Sequence, residues 1–184
     1  MMVNKNTTGP TPQNPYVALA RASIEYYLRD RAIMQVPEDT PEALLATRAG
    51  AFVTLYKAGN LRGCIGTIHP VRKSLAHEII HNAVASAVED PRFPPLNPDE
   101  LKDIVVSVDV LGDAEPIDTF EELDPARYGV IVSDKYRRGL LLPNLDGIDT
   151  AEEQVSIALR KAGIYPGDSY RLERFEVVRY EEKP

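Results

Sequence analysis

A single thiol, Cys64, stands in the run Leu61-Arg62-Gly63-Cys64-Ile65-Gly66-Thr67, between two glycines and two residues from an arginine, and no other stretch of the chain combines such groups so closely. Glycines weaken a strand and are kept where backbone must approach a ligand, another chain or a bend. With Gly63 and Gly66 clearing space, the thiol is open to a small molecule, and Arg62 is suited to bind a carboxylate or phosphate or to lower the thiol pKa. On an ideal strand Arg62, Cys64 and Gly66 share one face and Leu61, Ile65 and Thr67 the other, which predicts the cysteine on a face away from the core. The competing reading is structural: Cys64 as a small buried hydrophobe, and glycines that permit a bulge or tight packing against the next helix.

Two further groupings carry chemical potential. In Glu89-Asp90-Pro91-Arg92-Phe93-Pro94-Pro95 the prolines hold a rigid loop on which Glu89, Asp90 and Arg92 offer acidic, basic or anion-binding groups. The plainer account is helix termination, with Arg92 paired to Glu89 or Asp90 to fix the turn. His77-Glu78-Ile79-Ile80-His81 matches HExxH, which on a helix sets two imidazoles one turn apart with a glutamate between them, as zinc hydrolases require. A third ligand would have to come from His69, Glu89 or Cys64, and no downstream extension of the motif follows. No metal and no cofactor is assigned.

The elements that must position these groups follow from periodicity. Asn14-Pro15 starts a helix whose apolar face is Val17, Ala20, Ile24 and Leu28. Residues 51–56 and 61–68 are strand-like runs joined by Lys57-Ala58-Gly59-Asn60, a connection short enough for an antiparallel hairpin. After Pro70 and Ser74 a helix with Ala76, Ile80, Ala83, Val84 and Ala87 on one face runs to the proline-rich turn. Ile104, Val106, Val108 and Val110 alternate toward a core, and Gly129 to Val132 and Gly139 to Leu142 form a second antiparallel pair around Asp134 and Lys135. Thr150 with Glu153 makes a capping box, Val155, Ala158, Leu159 and Ala162 a buried stripe, and Gly163 a C-cap. In the tail, Tyr170 to Tyr180, alternation changes phase near Arg174, which suggests a bulge in a closing strand. Hairpins mixed with helices, without regular βαβ alternation, predict an α+β fold: an antiparallel sheet flanked by helices.

Composition narrows the function classes. The chain of 184 residues suits one domain, residues 14–184, behind a polar leader, residues 1–13, that reads as disordered or as a linker. It has no apolar run long enough to span a membrane and no secretory signal, and its one cysteine fits a reducing, cytoplasmic setting. A net charge of -7 disfavours nucleic-acid binding, and the basic cluster Lys135, Tyr136, Arg137, Arg138 reads as a solvated turn.

The strings LRGCIGT at 61–67, AFVTL at 51–55, NAV at 82–84, EDPRFPP at 89–95, GLLLP at 139–143 and KAG at 161–163 resemble, in order, those of the AMMECR domain family, whose bacterial members are called AmmeMemoRadiSam system protein A. The resemblance covers roughly residues 15–180. It implies a larger and a smaller lobe around antiparallel sheet, with a cleft at the LRGCIG segment, and no established activity. It also implies partnership with a Memo-like protein and a radical S-adenosylmethionine (SAM) protein. On these grounds the expected function is a component of a Memo-like and radical SAM-associated modification pathway with a small-molecule or thiol site at Cys64. Cys64 and Arg62 are the candidate catalytic residues. Gly63, Gly66 and Thr67, opposite Glu89, Asp90 and Arg92, would bind the small-molecule ligand. The alternative from another class is a non-enzymatic adaptor that docks its partners through the same surface.

Overall fold

The computed structural model describes residues 14–165 and 167–182, so the expected leader at 1–13 lies outside the described residues. The first helix, α1 (Pro15–Asp30), opens where Asn14 accepts the Tyr16 N–H at 3.0 Å and Pro15 supplies a preset φ, and it closes on Arg31 in the left-handed region. A short α2 (Glu42–Ala46) leads to the hairpin of β1 (Ala51–Lys57) and β2 (Asn60–Gly66), turned through Ala58 and Gly59, both with positive φ. Then come α3 (Leu75–Val88), a 3₁₀ turn at Pro98–Asp103 and β3 (Ile104–Leu111). β4 (Glu115–Ile117), β5 (Gly129–Ser133) and β6 (Arg138–Leu141) precede α4 (Ala151–Ala162), which has the expected Thr150–Glu153 capping box and Gly163 C-cap.

The tail departs from expectation. It is two strands, β7 (Arg171–Phe175) and β8 (Val177–Glu181), that belong to different sheets. The change of phase is therefore a crossing at Glu176, whose carbonyl accepts the Gly112 N–H at 2.8 Å, and not a bulge in one strand. Two antiparallel sheets result, ordered β2-β1-β3-β8 and β4-β7-β5-β6.

Three apolar clusters hold the layers. α1 and α3 cover one face of the first sheet, where Val53, Leu55, Val106 and Val108 are fully buried. Each such side chain contributes about 1.5–3 kcal/mol by leaving water. α4 covers one face of the second sheet through Val155, Ala158 and Leu159 against Val130, Val132 and Leu141. The third cluster joins the sheets: Leu111, Ile131, Leu140 and Phe175 pack with Phe52, Ile68 and Val177. Phe52 and Val177 lie on the side of the first sheet opposite the helices, so the second sheet meets the first there. Among the described residues no helix is long and apolar enough to cross a membrane.

Candidate functional site

β2 is an edge strand, and its edge is closed from within. The Cys64 N–H donates to Asp90 Oδ2 and the Ile65 N–H to Ser86 Oγ, each at 2.9 Å. Ser86 Oγ also donates to the Val53 carbonyl at 2.7 Å, so α3 is fastened to both strands of the hairpin. These contacts explain the glycines. A Cβ on Gly63 would collide with the Ser86 carbonyl, and one on Gly66 with the ring of Phe52 across the ladder. Gly63 is thus close-packed against α3, as the structural reading of the segment expected, whereas Gly66 is close-packed against β1.

Register decides where the thiol points. Leu55 pairs with Gly63 and Tyr56 with Leu61, which leaves Arg62 as the extra residue of a bulge. Past the bulge Cys64 lies opposite Thr54, on the side away from the helices, and is half-buried there. Thr54 Oγ1 donates to Cys64 Sγ at 3.2 Å. On the same face lie Ser107 and Asp109, 2% and 1% exposed, with Thr54 at 5%: a buried polar patch on the back of an apolar sheet. Asp109 is held by Arg179 through bonds of 2.7 and 3.0 Å.

Arg62 does not serve the thiol. The bulge turns its guanidinium to Glu100, with bonds of 3.2 and 3.0 Å, and stacks it on Phe93 at 5.9 Å. Together with Lys57 it holds the Glu100 carboxyl down at about 2. The basic neighbour of the cysteine is Arg92, whose Nη2 donates to the Cys64 carbonyl at 3.3 Å. Arg92 is also clamped on Asp90 at 2.9 and 2.7 Å, which fixes the proline turn and holds Asp90 well below the usual carboxylate range. Glu89 caps α3 and is exposed, its charge felt by His81. Thr67 donates to Glu78 at 2.7 Å.

The HExxH reading meets a physical obstacle. Glu78 is fully buried and accepts from the Thr67 hydroxyl and from the Val71 and Arg72 N–H groups, at 2.7, 3.2 and 3.0 Å, so it pins the loop after β2. His77 is bonded to Ser74 at 2.7 Å and His69 to Arg138 at 2.8 Å, while Cys64 lies on the far side of the sheet from α3. Among the described residues no three His, Cys, Asp or Glu come together in a way that could hold a metal.

The thiol is protonated at neutral pH. Burial pushes its pKa up, the Thr54 bond and the Arg92 charge oppose that, and Asp109 and Asp90 push it further up. That direction is opposite to the lowering expected from Arg62, whose guanidinium is on Glu100. Lys161, near the C-terminus of α4, completes the surroundings. It is exposed as a residue, yet its amine donates inward to the Leu140 carbonyl at 2.9 Å, within electrostatic reach of Cys64 and Arg92. Burial and then Arg92 hold its pKa below the ordinary lysine value, against the pull of Cys64. Sequence reasoning missed Thr54, Asp109 and Lys161; the available signals were that Thr54 lies in the AFVTL string and that Lys161 begins the KAG string.

The segment does not line the cavity of about 310 Å³ at the junction of the sheets, which begins just past β2 with Ile68 and His69 and is walled by Gly50, Leu111, Ile131 and Phe175. What surrounds Cys64 is Thr54 and Asp109 on the same face of the first sheet and Arg92 from the turn after α3.

The architecture defines an α+β protein of two antiparallel sheets flanked by helices. The sequence profile of the AMMECR1 family matches residues 17–183, and the chain belongs to that family. A protein of Thermotoga maritima is 54% identical over 170 residues, covering 91% of this chain and 98% of that one. One of Clostridium acetobutylicum is 50% identical over 171 residues, covering 92% of this chain but 36% of that longer protein. The crystal structure of an uncharacterized protein from Pyrococcus horikoshii superposes with a TM-score of 0.84 at 35% identity, covering 91% and 90% of the two chains.

Proposed function

We propose that this protein handles a small molecule at Cys64, as one component of a modification pathway shared with a Memo-like protein and a radical SAM protein. The observation that supports the site is the setting of the thiol. It is bonded to Thr54 on a polar patch that the fold buries, with Arg92 brought to its backbone carbonyl from the proline turn. A buried polar patch opposes folding unless its groups are bonded, and perturbed groups gathered on one patch mark functional sites. In the resting protein the thiol is neutral, so Cys64 engages its ligand as S–H or loses its proton only once the ligand is bound.

The pH dependence of Cys64 alkylation tests this reading. Labelling of the folded protein should be measurable and should rise with an apparent pKa above that of the same protein unfolded. Complete protection until unfolding would make Cys64 a packing residue and transfer the case to the adaptor, which should bind the Memo-like protein equally well with Cys64→Ser. Bulky replacements of Gly63 or Gly66 do not separate the two readings, because they strike Ser86 and Phe52 before they reach any partner.

A further inference from the structure

The face of the second sheet turned away from α4 changes character along its strands. Ile131, Leu140 and Phe175 on it belong to the cluster that joins the two sheets. Two residues beyond Ile131 along β5, Ser133 pairs with Arg171 of β7 on one side and with Arg138 of β6 on the other. Side chains directly opposite in a ladder share a face and stand about 5 Å apart, so the serine lies between two arginines in one cross-strand row. This row lines a cavity of about 510 Å³, to which Glu173, two residues along β7 from Arg171, and Asp118, just past β4, also contribute. That volume suits a small molecule.

Two features of the cavity stand out. Ser133 is 4% exposed, and its hydroxyl makes no hydrogen bond among the described residues. Unlike Gln154 Oε1 it is not sealed in, but opens on the cavity. A hydroxyl buried without a partner opposes folding. The charged residues beside it are two of each sign, and none is in an ion pair among the described residues. Arg138 Nη1 donates to His69 Nε2 at 2.8 Å, which fixes that guanidinium without neutralising it. An anion alone would be drawn to the arginines and repelled by the carboxylates, and a cation the reverse. A molecule bearing both charges satisfies both sets.

We propose that this cavity binds a free amino acid as its zwitterion, with the carboxylate on the Arg171–Ser133–Arg138 row and the ammonium toward Asp118 and Glu173. Two guanidinium forks and a hydroxyl are donors matched to a carboxylate, and two carboxylates accept from an ammonium. The site shares no residue with the setting of Cys64, and its test is independent of that reading.

Isothermal titration of the whole chain with each proteinogenic amino acid at low salt tests the proposal. At least one should bind, and its N-acetyl and carboxamide forms, each lacking one of the two charges, should bind at least about tenfold more weakly. High salt should weaken binding. Arg171→Gln should cost about tenfold and Ser133→Ala about fivefold in affinity, with thermal unfolding of the ligand-free variants showing that they fold. Glu173→Gln should weaken the amino acid and leave its N-acetyl form unchanged. No binding of any amino acid at about 10 mM would overturn the proposal. An N-acetyl form that binds as tightly as the parent would reduce the cavity to a plain oxyanion site and overturn it too. Affinity indifferent to both Arg171→Gln and Ser133→Ala would place the ligand elsewhere and overturn the site. The derivatives are compared on the wild-type chain, so the need for both charges is read even if a variant does not fold.

Discussion

The two faces of the first sheet differ, and only one of them is built as a core. Toward α1 and α3 it presents Ala51, Val53, Leu55, Val106 and Val108, none with exposed surface. Toward the second sheet it presents Phe52 and then Thr54, Cys64, Ser107 and Asp109. The first face needs no reason beyond folding. The second replaces apolar contacts with hydroxyls, a thiol and an ion pair, groups whose burial costs free energy unless each is bonded. A sheet under selection for stability alone would gain by making that face aliphatic too. The contrast teaches that the polar patch is retained for what it contacts.

Truncation on each face separates core from patch most directly. Leu55→Ala should destabilise the fold by about 3 kcal/mol, since it empties a fully enclosed position between β2 and α3. Ser107→Ala, equally buried on the other face, should stay within about 1 kcal/mol. Urea unfolding with unchanged slope reads both. If Ser107→Ala costs as much as Leu55→Ala, the polar face is part of the folding core and its functional reading loses its ground.

Between these extremes stands Asp90, buried at the rim of the patch, where it joins the β2 edge to the proline turn. Asp90→Asn should cost about 2 kcal/mol at neutral pH through the charge-assisted bonds from Arg92 and the Cys64 N–H. The sign of its pH dependence is set by a folded pKa below the unfolded value of about 3.9. The contribution is therefore present above about pH 4 and lost as pH falls through the lower folded value. The wild-type and Asp90→Asn stability curves should converge on acidification, and curves that stay parallel would show the carboxylate to be idle.

Much of this was legible in the chain, and the reason it stops where it does is physical. Periodicity and caps found α1, α3 and α4 and the β1–β2 hairpin, because those signals lie within a few residues of one another. Alternation predicted a face away from the core for Cys64, and it lies on the side away from the helices, beside a buried polar patch. It could not tell that a bulge would send Arg62 to Glu100, 38 residues away, or that Glu78 of the HExxH string would be spent on the loop before its own helix. Lys161 meets the Leu140 carbonyl only because α4 packs on the second sheet, and no local pattern encodes that contact. The tail likewise kept its alternation on either side of Glu176 and hid a change of sheet as a change of phase.

The smallest effect is the sharpest test of the contrast. Thr54→Val keeps the shape and β-branching of the side chain and deletes the hydrogen bond that Thr54 Oγ1 donates to the Cys64 sulfur at 3.2 Å. Stability should move by less than about 1 kcal/mol in either direction, because a hydroxyl and its partner in this setting contribute little net. Chemistry should respond where stability does not. The Thr54 hydroxyl favours the thiolate, so its loss should push the Cys64 pKa further up and slow alkylation at fixed pH, while the rate in the unfolded state stays the same. Loss of stability without slower labelling would place Thr54 with Val53 and Leu55 as a fold residue. Slower labelling at unchanged stability would show that the two faces of one sheet have been given different work.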